Sequence, residues 1–321
     1  MHARVVVGMI LVALAVAVGA LIQAKPTSAL TVVIPLPAGA RPTAVAVHPT
    51  TGRLYVTQSG RDAVAVVDPL TSTVVATVPT GKTPNQLAID PLSGRVFVSN
   101  FDGRSITVID GSTNAVLATL PVGGLGMGIN PTTHRLYAAA GRSLSVIDTV
   151  TSSVFTTVAA PRGANLWGVA VDAARDRVYL ADLDSSRVLV LDGATNAVTA
   201  SVTIDAPARF AIAVSAAAGR VYVASYLKTG ARLSAIDTTT NAVVATAPLG
   251  SLPFALALHE PTGALYVSNL GDDTVTALRT ATLGVISTTR AGRSPMGLAV
   301  VPGTGRLVLV SQADATLQMQ P

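Results

Sequence analysis

Chemistry in this 321-residue chain would have to come from a thin inventory. There is no cysteine, the only glutamate is Glu260, and beyond residue 30 there are three histidines, His48, His134 and His259. Lack of cysteine excludes disulfides, thiolate metal sites and a cysteine nucleophile. The histidines lie far apart along the chain, each at a turn, so they are not expected to converge on one metal ion. An acid/base pair would have to be built from aspartates, as Asp182 with Asp184 or Asp272 with Asp273. The same pairs are the oxygen donors a Ca²⁺ ion would use, but one loop alone falls short of the roughly six to eight ligands that ion takes. Hydroxyls are plentiful, yet no G-x-S-x-G or S-x-x-K arrangement is present to activate one. The glycines form no G-x-x-x-x-G-K phosphate loop. These residues predict no catalytic residue, no metal site and no cofactor, and favour a non-enzyme.

The elements that would position any site come from one repeat. Tyr55, Phe97, Tyr137, Tyr179, Tyr222, Tyr266 and Val308 mark seven units of about 42 residues. Around each marker stand an apolar strand, a tight turn often reading TGR or SGR, a second strand, a polar loop, a third strand usually ending in Asp, and a fourth beginning with Val. In the second unit these read Asn85 to Asp90, Arg95 to Asn100, Ser105 to Asp110 and Val116 to Pro121. Four strands per period of 40 to 45 residues is the pattern of a β-propeller, and no stretch has helical spacing. The expected fold is all-β: a seven-bladed propeller with four antiparallel strands per blade. The seventh unit supplies only three strands. Thr31 to Pro37 resembles the fourth strands in character and is expected to close the last blade, removing an open edge.

Position by position, the first strands alternate between large and small residues. Val45, Leu87, Met127, Val169, Ile212, Leu256 and Leu298 are large. The next residue in each is Ala46, Ala88, Gly128, Ala170, Ala213, Ala257 or Ala299. Side chains alternate across a strand, so each blade presents a large and a small face that can interdigitate with its neighbours. Asp68, Asp110, Asp148, Asp192 and Asp237 each precede a threonine by three residues and are read as turn residues, accepting from the backbone.

Before the repeats, His2 and Arg4 precede an uncharged run from Val5 to Ile22 and then Thr27, Ser28 and Ala29. This is the layout of a secretory signal peptide over residues 1–29, cleaved after Ala29. An uncleaved membrane anchor is the alternative, because 18 apolar residues reach the lower end of the spanning range. Residues 30–321 are then the exported propeller, whether secreted, periplasmic or at the cell surface. With Arg4 and Lys25 set aside, 20 basic residues face 17 acidic ones. That balance, with only three lysines in the whole chain and no like-charge run, does not describe a nucleic-acid-binding tail.

The strings Val96 to Asp110, Leu54 to Ser59 and Leu265 to Val275 resemble the YVTN family of β-propeller repeats over essentially the whole chain after residue 30. Units three, four, five and seven depart from its second-strand motif. The resemblance implies an exported or cell-surface protein of the surface-layer type that binds or scaffolds, with no family catalytic residues to carry over.

The loops joining successive blades and those joining second to third strands share one face. The inter-blade loops carry Arg41, Lys82, Arg162, Arg209, Arg290 and Arg293 against Asp205 alone, a basic ring that would focus anions towards the channel mouth. At the starts of the inner strands lie Trp167, Phe210, Phe254 and Met296. Their parity assigns them to the core-packing layer; otherwise they form an apolar wall beside the basic ring. The expected function is non-catalytic extracytoplasmic binding or scaffolding, with Arg41, Lys82, Arg162, Trp167, Arg209, Phe210, Phe254 and Arg293 as candidate ligand contacts. The expected partner is an envelope protein, a glycan or a small anion, the protein itself being a monomer. A propeller hydrolase or lyase with a channel-mouth site and a nucleic-acid-binding propeller are the alternatives.

Overall fold

The structure is a computed structural model describing residues 31–207, 211–227 and 230–321. The expected signal segment, residues 1–29, lies outside the described residues, as do Arg209 and Phe210. Seven four-stranded antiparallel sheets form the blades of one propeller. Blade one consists of Pro42–Val47, Leu54–Gln58, Ala63–Asp68 and Thr73–Pro79, running from the axis outwards, and blades two to six repeat that order. Each inner strand packs against those of both neighbouring blades, closing a ring around a central channel. Closure is made as the sequence implies: Val32–Pro35 runs antiparallel to Thr316–Gln320, with Val32 opposite Met319 and Pro35 opposite Thr316. The seventh blade is therefore built from both ends of the propeller, leaving no gap in the ring.

The alternation of large and small residues follows from the wedge between blades. Ala46, Ala88, Gly128, Ala170, Ala213, Ala257 and Ala299 lie directly opposite Tyr55, Phe97, Tyr137, Tyr179, Tyr222, Tyr266 and Val308 on the second strands. Near the axis, where blades converge, only a small side chain fits, and one strand further out the marker side chain fills the widening gap. Gly128 shows how tight the inner layer is. A methyl group there would stand 2.9 Å from Val171 Cγ2 and 3.1 Å from Val169 Cγ1 of blade four.

On the face carrying the first-to-second and third-to-outer turns, polar side chains latch each blade to the next. Tyr55 Oη donates to Gly111 O at 2.9 Å, Tyr137 Oη to Gly193 O at 3.1 Å and Tyr222 Oη to Thr280 O at 2.7 Å. Burial raises the pKa of all three hydroxyls, that of Tyr137 to about 12. Guanidinium groups do the same: Arg95 reaches Thr149 O and Ser152 Oγ, Arg177 reaches Thr238 O, and Arg220 reaches Thr280 O and Ala281 O. His48 Nδ1 accepts from the amides of Thr50 and Thr51, so its Nε2–H donates to Gly94 O of blade two at 3.0 Å. His259 bonds Thr262 within its own turn.

The five turn aspartates behave as expected. Each accepts backbone N–H groups two or three residues on, as Asp110 does from Ser112 and Thr113 and Asp237 does from Thr239 and Thr240. These bonds stabilise the charged form. The Ser112 hydroxyl and the two amides hold Asp110 down at about 2, and threonine partners likewise lower Asp148, Asp192 and Asp237.

Candidate functional site

At the opposite face, where the inter-blade loops run into the inner strands, strict alternation stops. Pairing of the inner with the second strand shifts register between Pro42 and Val45, Pro84 and Gln86, Leu166 and Val169, Pro253 and Leu256, and Pro295 and Leu298. Trp167, Phe254 and Met296 sit inside these irregularities, which re-aim side chains. Parity counted from the strand below therefore does not place them. Met296 is buried and packs in the core with Ile34, Val45 and Val310. Trp167 is half-buried, its Nε1–H donating to Asn165 Oδ1 at 3.1 Å. Phe254 is also half-buried and lines two cavities at once. The layer divides between core and pocket instead of going wholly to either.

Of the candidate cations, Arg41, Lys82 and Arg162 are exposed and form no ion pair among the described residues. Arg41 is held by its backbone: at φ 48° its carbonyl accepts from Ser59 Oγ at 2.7 Å, and its stem lies over Gly60. Arg293 differs. Its amide and its Nε–H both reach the Asp314 carboxylate, each at 2.6 Å, and these bonds hold the Asp314 pKa below the usual carboxylate range. The structure thus brings three of the candidate cations to the surface of this face with free heads, and a fourth already committed.

The aspartates of the second-to-third-strand loops are staples. Asp62 Oδ1 accepts from Thr83 N, Asp272 Oδ2 from Ser251 N and Asp273 Oδ1 from Ser294 N. Asp182 is buried and takes Asn165 N, Asp184 N, Ser185 Oγ and Arg187. Asp184 bonds the Asn165 side chain at 3.0 Å. The carboxylates that could have served a Ca²⁺ ion thus hold the inter-blade loops to the blades on either side.

Three cavities among the described residues open here. The channel mouth, about 170 Å³, is walled by all seven inner strands and includes Gln86, Met127, Val169, Phe254 and Leu298. A pocket of about 520 Å³ between blades two and three is lined by Phe101, Asp102, Arg104 and the Gly123–Leu125 loop. The largest, about 550 Å³, is an apolar groove across blades four to six, lined by Leu183, Pro207, Ala224, Tyr226, Leu252, Pro253, Phe254 and Leu270. Of this set only Phe254 is among the contacts expected from the sequence. A signal for the rest exists in the repeat. The fourth residue after each marker reads Ser59, Phe101, Gly141, Leu183, Tyr226, Leu270 and Gln312, so its three consecutive large apolar members fall on blades four, five and six.

No protein-family model matches the chain, and no curated protein matches it. Among solved structures it is similar to "Kuenenia stuttgartiensis Hydrazine Synthase", at 16% identity and a TM-score of 0.77, over 89% of this chain and 97% of that one. It is likewise similar to U3-55K, at 12% identity and a TM-score of 0.76, over 91% of this chain and 98% of that one. At these identities the likeness is one of fold: the chain is a seven-bladed β-propeller.

Proposed function

We propose that this protein is a non-catalytic, exported binding or scaffolding propeller of the YVTN type. It engages an envelope protein, a glycan or a small anion at the channel-mouth face. The observation that carries this reading is the contrast in how the two faces use their cations. Arg95, Arg135, Arg175, Arg177, Arg220 and Arg306 of the turn face all bond protein groups. Arg41, Lys82 and Arg162 stand exposed in the loops that lead into inner strands walling the channel. Exposed cations at a concave mouth attract anions and strengthen their contacts with charge-assisted hydrogen bonds. Export rests on the layout of residues 1–29, and intact-mass measurement showing a mature N-terminus at Leu30 is the expected outcome.

The binding test is a titration with inorganic phosphate, followed by amide shifts, on the parent and on Arg41→Ala, Lys82→Ala and Arg162→Ala. Each substitution is expected to weaken binding by about 1 to 3 kcal/mol with folding unchanged. Arg53→Ala and Arg279→Ala on the turn face are the controls. Equal weakening by both sets would show that general positive charge, and not the mouth, is being read.

A further inference from the structure

The groove across blades four to six is a different kind of surface from the rest of the mouth face. We infer that it is the seat for the apolar body of an amphiphilic organic anion, an aromatic or alkyl phosphate, sulfonate or carboxylate, whose charged head lies towards the basic mouth. This rests on the mouth-face reading above and extends it by naming the ligand class and the residues that select it.

Position in the repeat, not local propensity, makes the groove. Leu252 occupies the place held by Arg41, Thr83 and Ser294 in other blades, and all four share a left-handed backbone with φ between 48° and 56°. The loop geometry is common to them, but only in blade six does it present a large apolar side chain, 41% exposed. Tyr226 is 51% exposed on the same groove. Exposing both to water is unfavourable for a protein that needs neither for its core, and a concave apolar surface holding them is the usual form of a small-molecule site. The volume of about 550 Å³ suits a ligand of that size.

Phe254 links groove to channel, since it lines both. An apolar body in the groove therefore places its other end at the channel opening. The charge on the segments of blades four and five that flank the groove specifies the sign of the head. Arg162, in the loop leading into blade four, is exposed without an ion pair among the described residues, and Arg232 of blade five keeps 47% exposure even while paired with Asp205. A cationic amphiphile would meet these groups as like charges, and a neutral one would leave them unused.

The test compares 1-naphthyl phosphate, inorganic phosphate and 1-naphthol by titration against the full chain and against the double variant Leu252→Ser with Tyr226→Ser. Both substituted side chains are exposed, so folding should be retained, and thermal melting verifies it. Naphthyl phosphate is expected to bind at least tenfold tighter than inorganic phosphate. The double variant should lose at least fivefold of that advantage, while its affinity for inorganic phosphate stays the same. An advantage below twofold, or one that survives in the folded double variant, overturns the groove assignment. Binding of 1-naphthol without any binding of phosphate instead overturns the anionic reading of the mouth, and with it the head-group half of this inference.

Discussion

The two faces of the ring are built from the same repeat and carry similar numbers of charges, yet use them in opposite ways. Among the described residues the mouth face holds ten Arg and Lys against eight Asp, and the turn face eight Arg against nine acids. On the turn face, the Tyr, Arg and His latches point across to the next blade and end on its backbone carbonyls. On the mouth face it is the acids that are consumed, stapling backbone amides, while several cations are left outside. The asymmetry teaches that net charge is a poor guide to where a propeller binds. What distinguishes the faces is which sign has been spent on holding the blades together.

The largest expected effect comes from an element that serves both faces alike. Deleting Thr31 to Pro37 removes the strand paired with Thr316–Gln320 and leaves an unpaired edge in blade seven. The truncated chain should unfold or associate, as seen in its melting temperature and its sedimentation. A monomer with an unchanged melting temperature would mean that the ring holds without this pairing.

Next in size are the latches. Arg220→Ala removes two guanidinium bonds to blade six and should cost about 1 to 3 kcal/mol, and Tyr222→Phe about 1 kcal/mol, by chemical denaturation. Arg41→Ala and Arg162→Ala on the mouth face should stay within about 0.5 kcal/mol. If the mouth substitutions cost as much as the latch ones, the contrast between the faces fails.

The smallest effect is expected in acid. The folded pKa values of Asp110, Asp148, Asp192 and Asp237 are depressed, so their contribution is present above the unfolded carboxyl value of about 3.9 and is lost as pH falls through it. For Asp110 the window extends down to about 2. Denaturation midpoints should therefore fall between pH 5 and pH 2.5. Asp110→Asn with Asp237→Asn should fall less than the parent, because Asn still accepts the turn amides but carries no proton equilibrium. An identical acid limb in the variant would show that these turns contribute nothing to the pH dependence.

Much of this molecule was legible in its residues because the relevant physics is local and repeated. The marker side chains, the alternation of Val or Leu with Ala, the Asp-to-Thr turns and the closing strand each follow from period-two geometry or from a turn that a short segment makes by itself. Repetition over seven units turned a weak local pattern into a definite architecture. Tertiary structure decided what repetition could not. Alternation failed at the mouth because register shifts intervene at the inner-strand starts, so Met296 is buried in the core while Phe254 both packs against that core and lines the cavities. Arg293 was committed to Asp314 because their two loops meet in space, 21 residues apart. The groove exists only because Leu183, Tyr226, Leu252 and Leu270, from three blades, are brought round the axis to one side. Contacts of that kind depend on where distant segments come to rest, and no local preference encodes them.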